Sequence, residues 1–182
     1  ASPLTRLPGG IAIENILKRR IDSGKPIAFC VIDLDNFKAF NDQYGYAHGN
    51  KVIKEAARII ETVVKAKGSP DDFVGHVGGD DFVAITTPAY MRLVCSEIIR
   101  TFDGTIRQFY NDRDRRNGFI IGKNRQGQEV QFPLMTISIA IVTNEQHIFK
   151  DPLQVSEIAA ELKDYAKTIP QSVYVVDKRR GA

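Results

Sequence analysis

Apolar and polar positions alternate along the chain in blocks that predict a mixture of helices and strands. The run IAFCVIDL at 27–34 is almost continuously apolar and of strand length, which is typical of a strand buried on both faces of a sheet. From about Asn50 to Val64, apolar residues recur at three- and four-residue spacing, which predicts a long helix with one buried face. The predicted helices cover 11–22, 36–46, about 50–67, about 89–110 and 151–168, and the predicted strands cover 27–34, 73–77, 81–87, 134–142 and 172–176.

Two hairpins are predicted between these elements. One turns at Gly78 and Gly79, because glycine tolerates the positive φ angles of tight hairpin turns. A smaller one covers 119–132, and the charged run NDRDRRNG at 111–118 predicts an exposed loop before it. A chain that combines hairpins with helical crossovers predicts an α/β (α+β) fold, in which helices wrap a central, mainly antiparallel sheet.

Length and composition fit one folded domain over residues 1–182, with 43% hydrophobic and 26% charged residues. The excess of 25 Lys and Arg over 22 Asp and Glu is too small to indicate nucleic-acid binding. No apolar run approaches the roughly 20 residues of a membrane span.

Cys30 and Cys95 both lie in apolar runs, so we expect buried free thiols in a reducing, cytoplasmic compartment, although a disulfide between them is left open as an alternative. Because the chain begins with Ala, we expect a fragment of a longer protein.

Two acidic strand ends carry the candidate chemistry. Asp33 and Asp35 are two positions apart, so a strand points both to one face, and Asp80 and Asp81 follow the glycine turn. If the two strands are neighbours, these carboxylates converge. Clustered carboxylates suit Mg²⁺ (or Mn²⁺), which takes oxygen ligands and leaves positions for substrate phosphates. The sequence therefore predicts a metal and nucleoside triphosphate site. In the alternative, each acidic end is structural, with Asp35 capping the helix that follows.

Several segments resemble, in the same order, the motifs of one protein family. These segments are LTRLPGG (4–10), DLDNFKAFNDQYGYAHGN (33–50), HVGGDDF (76–82), TISIAIV (136–142) and AKTIPQS (166–172). Together they are similar to the GGDEF domain of the diguanylate cyclase family, and the resemblance covers nearly all of the chain. It implies a fold similar to the palm of nucleotidyl cyclases and polymerases, which agrees with the fold predicted from the apolar pattern.

The resemblance also implies roles for particular residues. Asp33, Asp80 and Asp81 would be the catalytic and metal-binding acids, with the carbonyl of Leu34 as a further ligand. Eight further residues would bind the nucleotide. At the phosphates these are Lys38, Lys167 and the backbone of Asn36 and Phe37. Asn41 and Asn50 would contact the base, and Gly78 and Gly79 would lie beneath the bound nucleotide. From its position alone, His76 could face the site too, although a structural role is the favoured interpretation.

In this family two GTP molecules condense to cyclic di-GMP, when the 3′-hydroxyl of one attacks the α-phosphate of the other. Each domain brings one GTP, so the resemblance implies a transient homodimer. It also implies that a sensor or receiver domain outside this chain provides the signal.

Four positions depart from the family pattern. Asn50 stands where a guanine-reading Asp is usual, and an amide better suits adenine, so ATP is a second candidate substrate. Gln171 replaces a phosphate-binding Arg, and Asp81 replaces Glu. Ser69 replaces the Arg of the product-inhibition motif, so inhibition by the product at that site is not expected.

The segment 111–132 has no counterpart in the usual domain. The departures keep a second hypothesis open, a catalytically degenerate GGDEF module that binds nucleotide or a partner protein.

Overall fold

The computed structural model describes residues 1–179, which build helices around a five-stranded sheet. The helices are α1 (Gly10–Ser23), α2 (Phe37–Tyr44), α3 (Tyr46–Lys67), α4 (Pro88–Ile106), α5 (Asp112–Asn117) and α6 (Pro152–Ala166), with a 3₁₀ turn at Arg107–Phe109. The strands are β1 (Ala28–Asp35), β2 (Phe73–Gly78), β3 (Asp81–Thr86), β4 (Phe119–Lys123), β5 (Glu129–Pro133), β6 (Thr136–Thr143) and β7 (Val173–Val176). None of these helices combines the length and apolar character that crossing a membrane requires.

The strand order of the main sheet is β2-β3-β1-β6-β7, and β4 and β5 form a separate hairpin. β1 lies in the centre and pairs antiparallel with both β3 and β6, while β2 pairs antiparallel with β3. Among the described strands of this sheet, β7 alone runs parallel to its neighbour, β6. The prediction of a mainly antiparallel sheet wrapped by helices is therefore confirmed.

Helices cover both faces of the sheet, which explains why β1 is apolar at almost every position. Alternate side chains of a strand point to opposite faces. Cys30 and Ile32 belong to the larger core cluster, together with residues of α3 and α4. Phe29 belongs to the smaller cluster, together with residues of α1 and α6. The acidic residues of β1, Asp33 and Asp35, are confined to its last three positions, where the strand leaves the core.

Cys30 and Cys95 are buried free thiols, as predicted, and their sulfur atoms lie 3.9 Å apart. The hydrogen bond with Cys95 and burial both raise the pKa of the Cys30 thiol. A thiol held protonated in an apolar core is a poor nucleophile, so these cysteines serve packing.

Residues 112–117 form a short helix, so the prediction of an exposed loop over 111–118 is wrong. The Asn111 side chain caps this helix by accepting a hydrogen bond from the N–H of Asp114 at 2.8 Å, and Gly118 ends it with a φ of 78°. Asp114 is buried and accepts a hydrogen bond from the hydroxyl of Tyr44. That hydroxyl also accepts from the N–H of Asn111 at 3.0 Å, so it fastens the start of α5 to the end of α2.

We expect Tyr44→Phe to lower the free energy of unfolding by about 1–3 kcal/mol, because Asp114 would stay buried without its hydroxyl donor. Burial and the hydrogen bond to Asp114 both raise the pKa of Tyr44, as befits a hydroxyl that must keep its proton to donate. Urea unfolding measures the change. Tyr46→Phe is the matched control, because the Tyr46 side chain is 81% exposed and its hydroxyl loss should cost under about 0.5 kcal/mol. Equal losses in the two variants would contradict the role given to Tyr44.

Candidate metal and nucleotide site

Three carboxylates meet where β1 ends beside the turn that joins β2 to β3. In the antiparallel register Asp33 stands opposite Asp81, and Asp80 lies in the turn just before it. One oxygen atom from each of the three acids lies within 4.8 Å of the others. The backbone N–H of Leu34 donates to the carbonyl of Asp80 at 3.3 Å, which ties the turn to β1. The two acidic strand ends of the sequence therefore form one cluster.

The turn itself depends on its two glycines. Gly78 has a φ of 155° and Gly79 a φ of 54°, values that L-residues with a side chain rarely adopt. A Cβ atom added at either position would have no described heavy atom within 4 Å. The glycines thus give the turn its shape and leave its backbone open to an approaching ligand.

Two lysines of the α6 segment reach the acidic cluster. The Nζ of Lys167 lies 2.9 Å from both Asp33 Oδ2 and Asp35 Oδ1. The Nζ of Lys163 lies 3.8 Å from Asp33 Oδ2 and 3.7 Å from Asp81 Oδ1. Lys163 is absent from the residues predicted from sequence. Its spacing of four from Lys167 could have pointed to it, because such residues share one face of a helix.

Asp35 does not cap the helix that follows β1, because Asn36 occupies the cap position. Its carboxylate instead accepts hydrogen bonds from Thr136 Oγ1 at 2.7 Å and from Ser138 Oγ at 2.8 Å, in addition to the Lys167 ammonium group. Asp35 therefore anchors Lys167 beside the cluster, while Asp33 is the β1 acid that belongs to the cluster.

The carboxylates of the cluster repel one another in a partly buried place. Burial, followed by the charges of Asp33 and Asp81, raises the pKa of Asp80 to about 6. Burial and the charge of Asp33 likewise raise the pKa of Asp81, although the charge of Lys163 acts in the opposite direction. Burial lowers the pKa of Lys167, but its hydrogen bonds to Asp33 and Asp35 outweigh that effect and the pKa is raised. The cluster is thus short of positive charge despite its two lysines.

The oxygen atoms of this cluster fit a hard divalent cation. Asp33 Oδ1 and Asp81 Oδ1 are buried, and neither has a hydrogen-bond partner among the described residues. Unpaired buried carboxylate oxygens are costly in a folded protein. Mg²⁺ and Mn²⁺ prefer carboxylate and carbonyl oxygens, which Asp33, Asp80 and Asp81 supply together with the neighbouring carbonyl of Leu34.

The predicted phosphate-binding residues lie at the start of α2. Asn36 has a left-handed φ of 65° and turns the chain from β1 into α2. Phe37 is the first residue of α2 and packs against the larger core cluster. Lys38 does not reach the cluster: its side chain is 86% exposed, and its Nζ lies 2.7 Å from Asp42 on the same helix. A contact between Lys38 and a ligand would require this exposed ion pair to open.

The predicted base-binding residues come from two consecutive helices. Asn41, on α2, has a buried side-chain oxygen without a hydrogen-bond partner among the described residues. It lies against Gly49, where an added Cβ atom would collide with that oxygen. α3 begins at Tyr46, earlier than predicted, so the exposed Asn50 sits within its first turns beside Gly49. The two amides therefore border one region, and Asn41 retains an unused acceptor there.

His76 supports the glycine turn and belongs to the core side of it. It is buried, and its ring stacks on Phe82 with centroids 4.6 Å apart. Its Nε2 lies 2.8 Å from the carbonyl of Gly79, so Nε2 carries a proton and donates it. Its Nδ1 then accepts from the hydroxyls of Ser2 and Thr5, at 2.9 and 3.0 Å. The residue thereby links the amino-terminal segment to the turn that carries Asp80.

A mainly antiparallel sheet wrapped by helices, with clustered acids beside a glycine turn, is the palm-like arrangement that the sequence predicted. Residues 2–118 match the family described as "Diguanylate cyclase, GGDEF domain". Because this match covers more than half of the chain, the protein belongs to the GGDEF domain family. The matched region contains the three acids and both glycines, whereas Lys163 and Lys167 lie beyond it.

Curated relatives carry names of the same kind. The chain is 34% identical over 87 residues to the diguanylate cyclase DgcP of Pseudomonas aeruginosa. This alignment covers 46% of this chain and 12% of that protein. It is 34% identical over 74 residues to the diguanylate cyclase DgcS of Shewanella oneidensis. That alignment covers 41% of this chain and 24% of that protein. The chain thus matches a quarter or less of the length of these relatives.

Solved structures show the same fold. The GGDEF domain of TpbB (YfiN) from Pseudomonas aeruginosa superimposes with a TM-score of 0.71 at 21% identity, covering 96% of this chain and 92% of that one. The GGDEF domain of DgcB from Caulobacter crescentus, solved in complex with c-di-GMP, gives a TM-score of 0.69 at 21% identity. This alignment covers 97% of this chain and 94% of that one.

We expect Asp80→Asn to stabilise the chain in the absence of divalent cations. The folded-state pKa of Asp80 is about 6, above its ordinary value of 3.8, so the folded protein holds this proton more firmly than the unfolded chain. The resulting penalty on stability grows as pH rises from about 4 to 6, and it is complete above that range. The variant should therefore be more stable by about 1 kcal/mol at pH 8, a value reduced for partial solvent exposure, and no more stable at pH 4.

Urea unfolding in the presence of a chelator, at pH 8 and pH 4, measures this difference. Asp71→Asn is the control, because Asp71 is an exposed carboxylate outside the cluster and should change little at either pH. A variant of Asp80 that is less stable than the unmodified chain at pH 8 would contradict the repulsion described above.

Proposed function

We propose that this chain is a diguanylate cyclase domain that condenses two molecules of GTP into cyclic di-GMP with a divalent cation. The observation that carries the proposal is the meeting of Asp33, Asp80 and Asp81 beside an open glycine turn. In this reaction the 3′-oxygen of each GTP loses its proton and bonds to the α-phosphorus of the other, and two pyrophosphate ions leave. Membership of the GGDEF family supports this class of chemistry.

Asp33, Asp80, Asp81 and the carbonyl of Leu34 would hold Mg²⁺ or Mn²⁺. When bound, such a cation lowers the pKa of an attacking hydroxyl and offsets charge on the reacting phosphate. The chain contributes the fixed positions of these oxygens, because the β1–β3 register and the Leu34 amide hold the turn against the strand. Asp81 has a shorter side chain than the usual Glu, so its reach toward a cation depends on the turn.

The triphosphate would lie across the start of α2 and the glycine turn. Lys167 would contribute its ammonium group, which already lies at the cluster. The backbone N–H groups of Asn36 and Phe37, at the start of α2, are donors suited to phosphate oxygens. Lys38 would join them after leaving Asp42, an exposed ion pair of the kind worth under about 1 kcal/mol.

The base would lie against Asn41 and Asn50. The side-chain oxygen of Asn41 would accept a hydrogen bond from a purine, whether guanine or adenine, once it turns away from Gly49, against which it is buried. Asn50 offers one acceptor and one donor group, whereas the usual Asp accepts two hydrogens from the Watson–Crick edge of guanine. GTP is thus the proposed substrate, and ATP is the alternative that Asn50 favours.

One domain binds one GTP, so cyclic di-GMP would form between two copies in a transient homodimer. Because the chain spans a quarter or less of its curated relatives, a sensor or receiver domain elsewhere in the protein is the proposed source of the signal. The proposed location of this domain is the cytoplasm, where GTP and the free thiols of Cys30 and Cys95 are both expected.

A second candidate function is a nucleotide-binding signalling module without turnover. Three features of the structure favour it. Lys38 pairs with Asp42 rather than with the acids of the cluster, Asn50 replaces the guanine-reading acid, and Gln171 is an exposed neutral residue where the family usually has a phosphate-binding Arg. Each of these features would lower the affinity for GTP without removing the cation site.

We expect the purified domain, at high protein concentration with Mg²⁺ and GTP, to form cyclic di-GMP that chromatography separates from GTP. Asp80→Asn should reduce turnover on the order of 10²-fold or more, because a carboxylate ligand of the cation is lost. The stability measurements above show whether this variant is folded. Unchanged turnover would remove Asp80 from the cation site.

An artificially dimerised form of the chain separates the two candidate functions. If dimerisation restores product, the unmodified domain lacks only its partner copy. If the dimerised chain binds GTP and forms no product, the module without turnover is the better description.

We expect Asn50→Asp to raise the preference for GTP over ATP by about 5- to 100-fold, since a restored hydrogen bond to guanine is worth about 1–3 kcal/mol. Competition binding with the two nucleotides measures the ratio. Gln43→Glu is the matched control, because it adds the same charge at an exposed position of α2 and should not change the ratio. An unchanged ratio in Asn50→Asp would exclude this residue from base recognition.

A further inference from the structure

Lys163 is a second cation at the acidic cluster, in addition to the proposed phosphate-binding Lys167. It lies on the last turn of α6, one helical turn before Lys167, so both side chains leave the same face of the helix. The Lys163 side chain is only 22% exposed, and lysine is rarely so buried without a charged partner.

The ammonium group of Lys163 lies between two of the acids that would hold the cation. Its distances of 3.8 Å to Asp33 Oδ2 and 3.7 Å to Asp81 Oδ1 are typical of ion pairs but longer than hydrogen bonds. The buried Asp81 Oδ1 has no hydrogen-bond donor among the described residues, nor has Asp33 Oδ1. Lys163 therefore supplies charge to this edge of the cluster without occupying its oxygen atoms.

The two lysines differ in their other partners. Lys167 shares its ammonium group with Asp35, which Thr136 and Ser138 hold in place. In the described part of the chain, the ion pairs of Lys163 are with Asp33 and Asp81 alone. Its charge thus acts wholly on the acids of the cluster, where it opposes the entry of another cation.

Lys163 also has apolar neighbours. It lines an apolar cavity of about 350 Å³ between α1, α6 and the sheet, together with Leu17, Val31 and Val83. A methionine side chain is of similar length and apolar, so Lys163→Met should keep this packing and remove only the charge.

We propose that Lys163 is a built-in counter-ion that weakens the binding of a divalent cation between Asp33 and Asp81. This inference rests on the cation site of the proposed function and identifies a residue that tunes it. A single positive charge about 4 Å from two carboxylates offsets part of the attraction that a divalent ion would experience there. The chain would then bind the cation firmly only when nucleotide phosphates add negative charge.

The test is a titration with Mn²⁺ alone, without nucleotide, followed by electron paramagnetic resonance of the free ion. We expect Lys163→Met to lower the dissociation constant for Mn²⁺ on the order of tenfold relative to the unmodified chain, after allowance for partial exposure. Lys163→Arg keeps the charge and should bind Mn²⁺ as the unmodified chain does. Lys150→Met removes the same charge from an exposed position just before α6, and should leave the constant unchanged.

Equal or weaker Mn²⁺ binding by Lys163→Met would overturn the proposal, as would a similar gain in Lys150→Met. Absence of Mn²⁺ binding by every variant at millimolar concentration would overturn it as well. The outcome is independent of turnover. A tenfold gain supports the role of Lys163, and if the dimerised chain also forms no cyclic di-GMP the result counts against the cyclase. Turnover without the gain counts against Lys163 alone.

Discussion

The antiparallel pairing of β1 with β3 is the constraint on which the site depends. It places Asp33 opposite Asp81 and brings the turn residue Asp80 to the end of β1, where the Leu34 amide holds it. Side chains of a strand alternate between faces, so a slip of one residue would turn Asp33 away and move a core residue out. The buried apolar positions of β1 make such a slip costly, and the core thereby determines the geometry of the acidic cluster.

The same geometry imposes a local cost that surrounding residues offset only in part. Three carboxylates in a half-buried place repel one another, which is why the pKa of Asp80 is raised to about 6. Lys163 and Lys167 reduce this repulsion from α6, and Asp35 holds Lys167 there. From the other side, His76 accepts from two amino-terminal hydroxyls and donates to the Gly79 carbonyl. The carboxylates of the cluster therefore repel one another, while ion pairs and hydrogen bonds from neighbouring segments hold them in place.

Much of this arrangement could be predicted from sequence, because it depends on local pattern. The apolar run of β1, the helical spacing of α3 and the paired glycines predict their elements, and the two acidic segments predict a cluster once the strands are neighbours. The remainder depends on contacts between distant segments. The helix α5 is stabilised by Tyr44 from α2, through a hydrogen bond between residues 70 positions apart in sequence. Lys163 meets Asp33 only after α6 has packed on the sheet, so its spacing from Lys167 predicts a shared helix face but not the acids that this face contacts.

The proposed cation site and the proposed base site occupy different parts of the fold, and this separation matters for the proposed function. The acids lie at the ends of β1 and β3, whereas Asn41 and Asn50 lie on α2 and α3. A change such as Asp to Asn at position 50 would alter the proposed hydrogen bonding to the base and leave the acidic cluster intact. Under the proposed function, the domain would therefore keep phosphoryl-transfer chemistry while its choice of purine shifts. Loss of the cation site, by contrast, would need changes at the cluster itself, where Asp81 stands in place of the usual Glu and Lys163 lies close by.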